Sequence, residues 1–159
     1  MKVAQVMKHA VWTCQAADTL DRAAQIMWDN DCGCVPVVEG DRHVIGMITD
    51  RDICMAAYTQ GAPLRSLQVR DAMSKSVCAC NGGDEVAEAE KIMRTHQVHR
   101  LPVLDAFGHL IGILSLNDLA QEAARGTAAK KRDLSLAGIG ATLNGICRPR
   151  PSRSVALPA

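Results

Sequence analysis

The residues best suited to bind a ligand stand in a pattern that occurs twice, each time where an apolar segment gives way to a predicted helix. The sequence Gly-Met-Ile-Thr-Asp-Arg-Asp ends at Asp52, and Gly-Ile-Leu-Ser-Leu-Asn-Asp ends at Asp118. Backbone N–H groups at a helix start are unpaired and attract anions such as phosphate. An aspartate one turn later can accept hydrogen bonds from ribose hydroxyls. The pattern therefore predicts phosphate and ribose sites at Thr49 and Asp52, and again at Ser115 and Asp118.

The same residues also suit a purely structural role. A Ser or Thr followed three residues later by an acid resembles the capping box that closes the start of many helices. Thr49 with Asp52, and Ser115 with Asp118, fit a helix cap as well as a ligand site, and a hydroxyl can serve in both. Residue types alone leave the two interpretations equally open.

The pattern belongs to a longer internal repeat. A shift of 66 residues places Val3–Ala57 over Val69–Ala123 without a gap, with Pro36 over Pro102. An ungapped duplication should be recognised first because it fixes the architecture. A unit of about 55 residues buries too little apolar surface to be stable alone, so the two copies are expected to share a core. A cleft used by one copy should then occur twice.

Each copy has the apolar spacing of a β-α-β-β-α unit. In the first copy, a helix is predicted to begin near Asp18 or Thr19, two strands to cover 34–38 and 44–48, and a second helix to begin at Asp50. The expected fold class is α/β (α+β), with repeats at 1–62 and 63–125. Residues 126–159 are predicted as a basic tail, partly disordered, with one helix over 134–146.

Composition narrows the class of protein. Hydrophobic residues make up 48% of the 159, aromatic residues only 3%, and the net charge is +1. This balance predicts an aliphatic core and disfavours nucleic acid as a partner. No segment approaches the ~20 apolar residues of a membrane span, and the N-terminus lacks the apolar stretch of a secretory signal. We therefore expect a cytoplasmic protein with no membrane contact.

The seven cysteines are the other chemically notable residues. Their odd number argues against a disulfide framework, and most are expected to be small buried residues. An alternative is a metal- or thiol-based redox sensor built on Cys14 and Cys147, with His96 or His99 as a partner. No nucleophile triad, P-loop or dinucleotide-binding glycine set occurs, so we predict no catalytic residues and no enzyme activity.

Taken together, these features resemble the cystathionine-β-synthase (CBS) domain pair, or Bateman module. The resemblance depends on the apolar-Pro-apolar strands at Pro36 and Pro102, the two Gly-to-Asp junctions, and the Asp-x-x-x-x-Ala helix starts at 18–23 and 84–89, and it covers residues 1–125. The chain is similar to small stand-alone bacterial CBS-pair proteins, including those of the hypoxic response type. The resemblance implies a pseudo-two-fold module that forms homodimers.

The resemblance also implies a ligand. In the family, clefts between the repeats bind adenine-containing molecules such as AMP, ADP, ATP, NAD or S-adenosylmethionine. Thr49 and Asp52 would hold phosphate and ribose in one cleft, and Ser115 and Asp118 in the other. The adenine walls would include Thr13, Val35, Pro36, Val77, Leu101 and Pro102, with Arg51, His99 and Arg100 near the phosphate. No cofactor is required, because the nucleotide is the regulatory ligand and acts on an unknown protein partner.

Differences between the copies predict unequal clefts. Thr13 corresponds to Ala79, and Arg51 corresponds to Asn117, so one hydroxyl and one charge lack an equivalent. The dipeptide at 33–34 is Gly-Cys, whereas its equivalent at 99–100 is His-Arg. One occupied cleft is therefore an open alternative to two, and an interaction module with empty clefts is a further one.

Overall fold

The computed structural model describes residues 1–125 and 134–149 of the chain. The first repeat contains α1 (Leu20–Asp29), β1 (Cys34–Glu39), β2 (His43–Thr49) and α2 (Asp50–Gln60). The second contains α3 (Val69–Ala72), β3 (Cys80–Asn81), α4 (Val86–His96), β4 (Arg100–Leu104), β5 (Leu110–Ser115) and α5 (Leu116–Arg125), and α6 (Leu136–Ile146) follows. The predicted mixed fold of two repeats is confirmed. None of the helices in the described ranges is long and apolar enough to cross a bilayer.

The two repeats form equivalent sheets. β1 and β2 pair antiparallel, as do β4 and β5, and β3 adds to β4 in parallel. In the first repeat the counterpart of β3 is a single parallel bridge between Cys14 and Val37. His43 and His109, which are equivalent in the repeat, bridge to each other. A pairing of one residue with its own equivalent requires a pseudo-two-fold axis at that point.

Helix α1 shows why these sequences fold as predicted. Thr19 stands before the helix and its hydroxyl accepts a hydrogen bond from the Arg22 N–H at 3.2 Å, so Thr19 is the N-cap. The apolar positions bury one face of the helix, with Leu20 and Ala23 at 0% exposure. Helix α4 has no side-chain cap but buries the equivalent positions, Val86 and Ala89. The helical face predicted from apolar spacing is therefore the face that packs.

The opening segment of each repeat packs on the other repeat. Lys8 and Ile113 exchange backbone hydrogen bonds of 2.9 Å, and Ser74 and Met47 exchange bonds of 2.9 and 3.0 Å. Gly112 makes this close approach feasible, because a Cβ on it would lie 2.6 Å from the Met7 sulfur. The two units are thus tied together by their exchanged opening segments. The predicted division of the chain at residues 62 and 63 stays a prediction.

The expectation of a single shared core is wrong. The buried hydrophobic residues form two clusters, one for each repeat. Val3 and Met7, from the start of the chain, belong to the second cluster, and Leu67 and Val69 belong to the first. The core of each repeat is therefore completed by the opening segment of the other repeat, and the two repeats need no common core.

The predicted tail helix is confirmed as α6, which lies on α4 and α5. Ile139 and Ile146 join the second core cluster. The Thr142 hydroxyl, at 0% exposure, accepts a hydrogen bond from Arg94 at 2.8 Å and donates one to the Glu90 carboxylate at 2.7 Å. These two hydrogen bonds fix the position of α6 on α4. The remainder of the predicted disordered tail, 126–133 and 150–159, lies outside the described residues.

Candidate functional site

Two clefts lie between the repeats, and each contains one of the predicted junctions. The Thr49 cleft has a volume of about 390 Å³, and the Ser115 cleft has a volume of about 370 Å³. The Thr49 cleft is lined by polar side chains that include Thr49, Asp52, Ser74, Ser76, His99 and Arg100. The Ser115 cleft is lined by Lys8, Asp31, Arg100, Ser115, Asp118 and others.

The two clefts are images of each other under the internal repeat. Ser115 and Asp118 take the places of Thr49 and Asp52, at the start of α5 rather than α2. The exchange of opening segments brings Lys8 to the second cleft in the place that Ser74 occupies in the first. The duplication predicted from sequence therefore yields paired clefts of nearly equal size.

At each junction the hydroxyl and the aspartate form a helix cap. The Asp52 Oδ2 accepts hydrogen bonds from the Thr49 backbone N–H at 2.9 Å and from its hydroxyl at 2.7 Å. The Thr49 hydroxyl in turn accepts a bond from the Asp52 N–H at 3.1 Å. Ser115 and Asp118 repeat the arrangement. The two interpretations of the sequence are thus compatible, because the same residues cap a helix and line a cleft.

The second oxygen of each aspartate distinguishes the clefts. Oδ1 of Asp118 forms an ion pair with Lys8 at 3.3 Å, and Asp118 is only 7% exposed. Asp52 faces the uncharged Ser74 at the equivalent place. Both oxygens of the Asp118 carboxylate therefore have partners, whereas Asp52 uses only Oδ2, and its Oδ1 bonds to none of the described residues.

Arg100 and Cys34 stand at the boundary between the clefts. Both residues line both clefts, and they are equivalent positions of the repeat. Burial raises the pKa of the Cys34 thiol above its ordinary value, while the Arg100 guanidinium, which hydrogen-bonds the sulfur, acts in the opposite direction. A buried, protonated thiol contributes no charge, so the guanidinium dominates the electrostatics of this boundary.

The structure brings together some of the predicted ligand residues and not others. Thr49, Asp52, His99 and Arg100 share one cleft, and Pro36, Arg100, Ser115 and Asp118 share the other. Val35 and Leu101 are fully buried in the two cores. The remaining predicted residues, which are Thr13, Arg51, Val77 and Pro102, are not among the described residues that line either cleft.

Several cleft residues escaped the sequence analysis. Lys8, Ser74 and Ser76 reach the clefts from the exchanged opening segments. The repeat already aligns position 8 with position 74, and this was the available signal that the two residues occupy equivalent places. What the repeat does not show is which copy each opening segment joins, so the three side chains could not be assigned to a cleft.

The redox alternative is not favoured by the geometry. Cys14 belongs to the first core, and burial, together with the negative charge of Asp18, raises its pKa to about 12. A thiol of this kind is protonated at neutral pH and is a poor nucleophile and metal ligand. Cys147 follows α6, which packs on the other repeat. Within residues 1–125 and 134–149, no three His, Cys, Asp or Glu side chains are grouped to hold a metal ion.

Comparison with known proteins gives the same architecture. The CBS domain family model matches residues 3–58 and 69–125. The CBS domain-containing protein YhcV of Bacillus subtilis is 35% identical over 118 residues, which cover 74% of this chain and 82% of YhcV. Hypoxic response protein 1 of Mycobacterium tuberculosis is 30% identical over 122 residues, which cover 76% of this chain and 85% of that protein.

Solved structures agree at the level of the fold. Hypoxic Response Protein I with two coordinated zinc ions superposes with a TM-score of 0.70 at 27% identity, covering 76% of this chain and 98% of that one. CBSX2 in complex with AMP superposes with a TM-score of 0.69 at 22% identity, covering 78% and 96%. Common ancestry explains the duplicated junctions, the exchanged opening segments and the paired clefts. The chain belongs to the CBS-domain family, as a CBS domain pair.

Proposed function

We propose that the chain is a non-catalytic sensor that binds an adenine-containing ligand in the clefts between its repeats. The observation that supports this is the pair of clefts itself, each with a hydroxyl and an aspartate at the start of a helix. Volumes near 370 and 390 Å³ fall within the range of about 300–1,000 Å³ typical of small-molecule sites.

The chemistry of the lining fits a nucleoside with an anionic group. The starts of α2 and α5 present the positive ends of their helix dipoles to a phosphate, and Arg100 adds a positive charge. Asp52 is suited to accept hydrogen bonds from ribose hydroxyls through its unoccupied oxygen. AMP is therefore the first ligand to test. At the level of fold, CBSX2 is known in complex with AMP, and the CBS pair of MJ0100 with 5′-methylthioadenosine and S-adenosyl-L-methionine.

A thermal-shift panel of AMP, ATP, NAD and S-adenosylmethionine tests the proposal. A ligand present at 100 times its Kd stabilises the folded state by about 2.7 kcal/mol. For a chain of this size, that corresponds to a rise in Tm of roughly 5–10 °C. A panel in which no compound raises the Tm would favour an interaction module with empty clefts.

We also propose that the protein is a cytoplasmic homodimer in which copies meet through α1 and α2. On the second repeat the equivalent face is covered by α6, which is held by Glu90 and Arg94. The first repeat has Ala24 and Trp28 at those positions, beside a cavity of about 630 Å³, and Trp28 is 85% exposed. Trp28→Ser should shift the mass measured by light scattering from dimer towards monomer, and an unchanged dimer would contradict this choice of face.

A further inference from the structure

The two clefts meet at one positively charged side chain. Among the described residues, Arg100 and Cys34 are the pair that line both clefts. They are equivalents in the repeat, so they lie where the two copies face each other. A symmetric duplication would place one cation there for each cleft. In this chain a thiol has the place of the first cation, and a single guanidinium is left for two clefts.

The other charges of each cleft make this guanidinium decisive for a phosphate. In the Ser115 cleft, Lys8 is already paired with Asp118, and Asp31 adds a further negative charge. In the Thr49 cleft, Asp52 is negative. No ion pair joins Arg100 to a carboxylate in the part of the chain that the structure describes. Without Arg100, the fixed charges of either cleft would repel an anion.

We propose that Arg100 is a shared phosphate-binding residue that makes the two clefts compete for one phosphorylated ligand. This inference rests on the proposed function. A phosphate bound in one cleft engages the guanidinium and places negative charge close to the other cleft, where partial burial weakens solvent screening. The second phosphate should therefore bind at least about tenfold more weakly than the first, within the usual range of coupling between sites.

A ligand without a phosphate has no anionic group to pair with the Arg100 guanidinium. Adenosine should therefore fill the two clefts independently, with no penalty for the second molecule. The chain would then hold either one AMP, or one AMP together with one uncharged nucleoside, in preference to two AMP molecules. This selectivity distinguishes two clefts that share one charge from two independent clefts that differ in affinity.

Calorimetric titration of the full chain with AMP and with adenosine, at pH 8 to limit histidine charge, measures the coupling. Asp52→Ala disables one cleft, and Asp118→Ala combined with Lys8→Gln, which removes the cation that Asp118 would otherwise leave unpaired, disables the other; each gives the affinity of the remaining cleft alone. In the unaltered chain, the second AMP should bind at least about tenfold more weakly than it does to the corresponding single-cleft variant. For adenosine the two values should agree.

Arg100→Gln is the decisive variant, because it removes the charge and keeps a polar side chain at a half-buried position. It should lower AMP affinity towards that of adenosine in both clefts and abolish the coupling. Arg65→Gln, which changes an exposed arginine outside both clefts, is the matched control and should alter neither.

Three results would overturn the inference. Two AMP molecules that bind with the affinities of the single-cleft variants would show independent clefts and leave the sensor function intact. A single-cleft variant that binds adenosine but no AMP would show that one cleft never uses Arg100. Absence of binding for both AMP and adenosine would remove the proposed function together with the inference.

Discussion

Asp52→Ala separates the two roles of the junction because its effects on stability and on binding have different sizes. In the folded chain, the Asp52 carboxylate accepts two hydrogen bonds from Thr49, through its N–H and its hydroxyl. The reverse bond, from the backbone N–H of residue 52 to the Thr49 hydroxyl, does not need the carboxylate and should survive. Half of the capping box remains, so we expect a loss of about 1 kcal/mol in the free energy of unfolding.

The expected effect on ligand affinity is larger. Hydrogen bonds from ribose hydroxyls to an ionised carboxylate contribute about 1.5–3 kcal/mol. Their loss from the Thr49 cleft should weaken AMP binding there by about tenfold to hundredfold. Urea unfolding gives the first quantity, and calorimetric titration with AMP gives the second.

Thr19→Ala is the matched control, since Thr19 caps α1 through one bond to the Arg22 N–H and lines neither cleft. It should cost a similar ~1 kcal/mol of stability and leave AMP affinity unchanged. If Asp52→Ala and Asp118→Ala each lose only the stability and keep full AMP affinity, the junctions are caps alone and the ligand assignment is refuted.

Three further predictions follow from packing and burial. Thr142→Val should reduce the free energy of unfolding by about 1.5–3 kcal/mol, because it leaves a buried carboxylate without its donor; an unchanged urea midpoint would contradict this. Gly112→Ala should cost about 1–3 kcal/mol through its clash with the exchanged opening segment, whereas Gly83→Ala, with open space around it, should stay within about 0.5 kcal/mol. Cys14, with a pKa of about 12, is protonated at pH 8 and should resist a thiol reagent that labels the exposed Cys54; equal labelling rates in the folded protein would show that the burial is wrong.

The secondary structure could be predicted closely because local signals and the repeat agree. The strand expected at 44–48 is observed as His43–Thr49, and the helix expected at Asp50 begins there. The strand ends where Thr49 caps the helix, so one residue type fixes both boundaries. The confirmation of α6 despite its glycines has a tertiary cause: Ile139 and Ile146 are buried against the second repeat.

What could not be predicted depends on contacts between distant segments. A self-similar sequence fits equally well whether an opening segment packs on its own copy or on the other, because both copies offer the same apolar surface. The choice shows in contacts between distant segments, such as the close approach of Met7 to Gly112 and of Met73 to Gly46. For the same reason Lys8 could not be assigned to the Ser115 cleft, nor Ser74 to the Thr49 cleft.

The divergence of the two copies therefore carries more functional information than their similarity. Positions that stayed alike, such as the glycines, prolines and aspartates of the junctions, keep the shared fold. Two of the changes fall where they bear on function: Cys34 against Arg100 at the boundary between the clefts, and Ala24 against Glu90 on the face of α1 and α4. A module with two identical halves would offer a ligand two equivalent clefts. With its one boundary cation in a single copy and α6 on a single face, the chain has the asymmetry that the two proposals require, which are one preferred site for a phosphorylated ligand and one exposed contact surface.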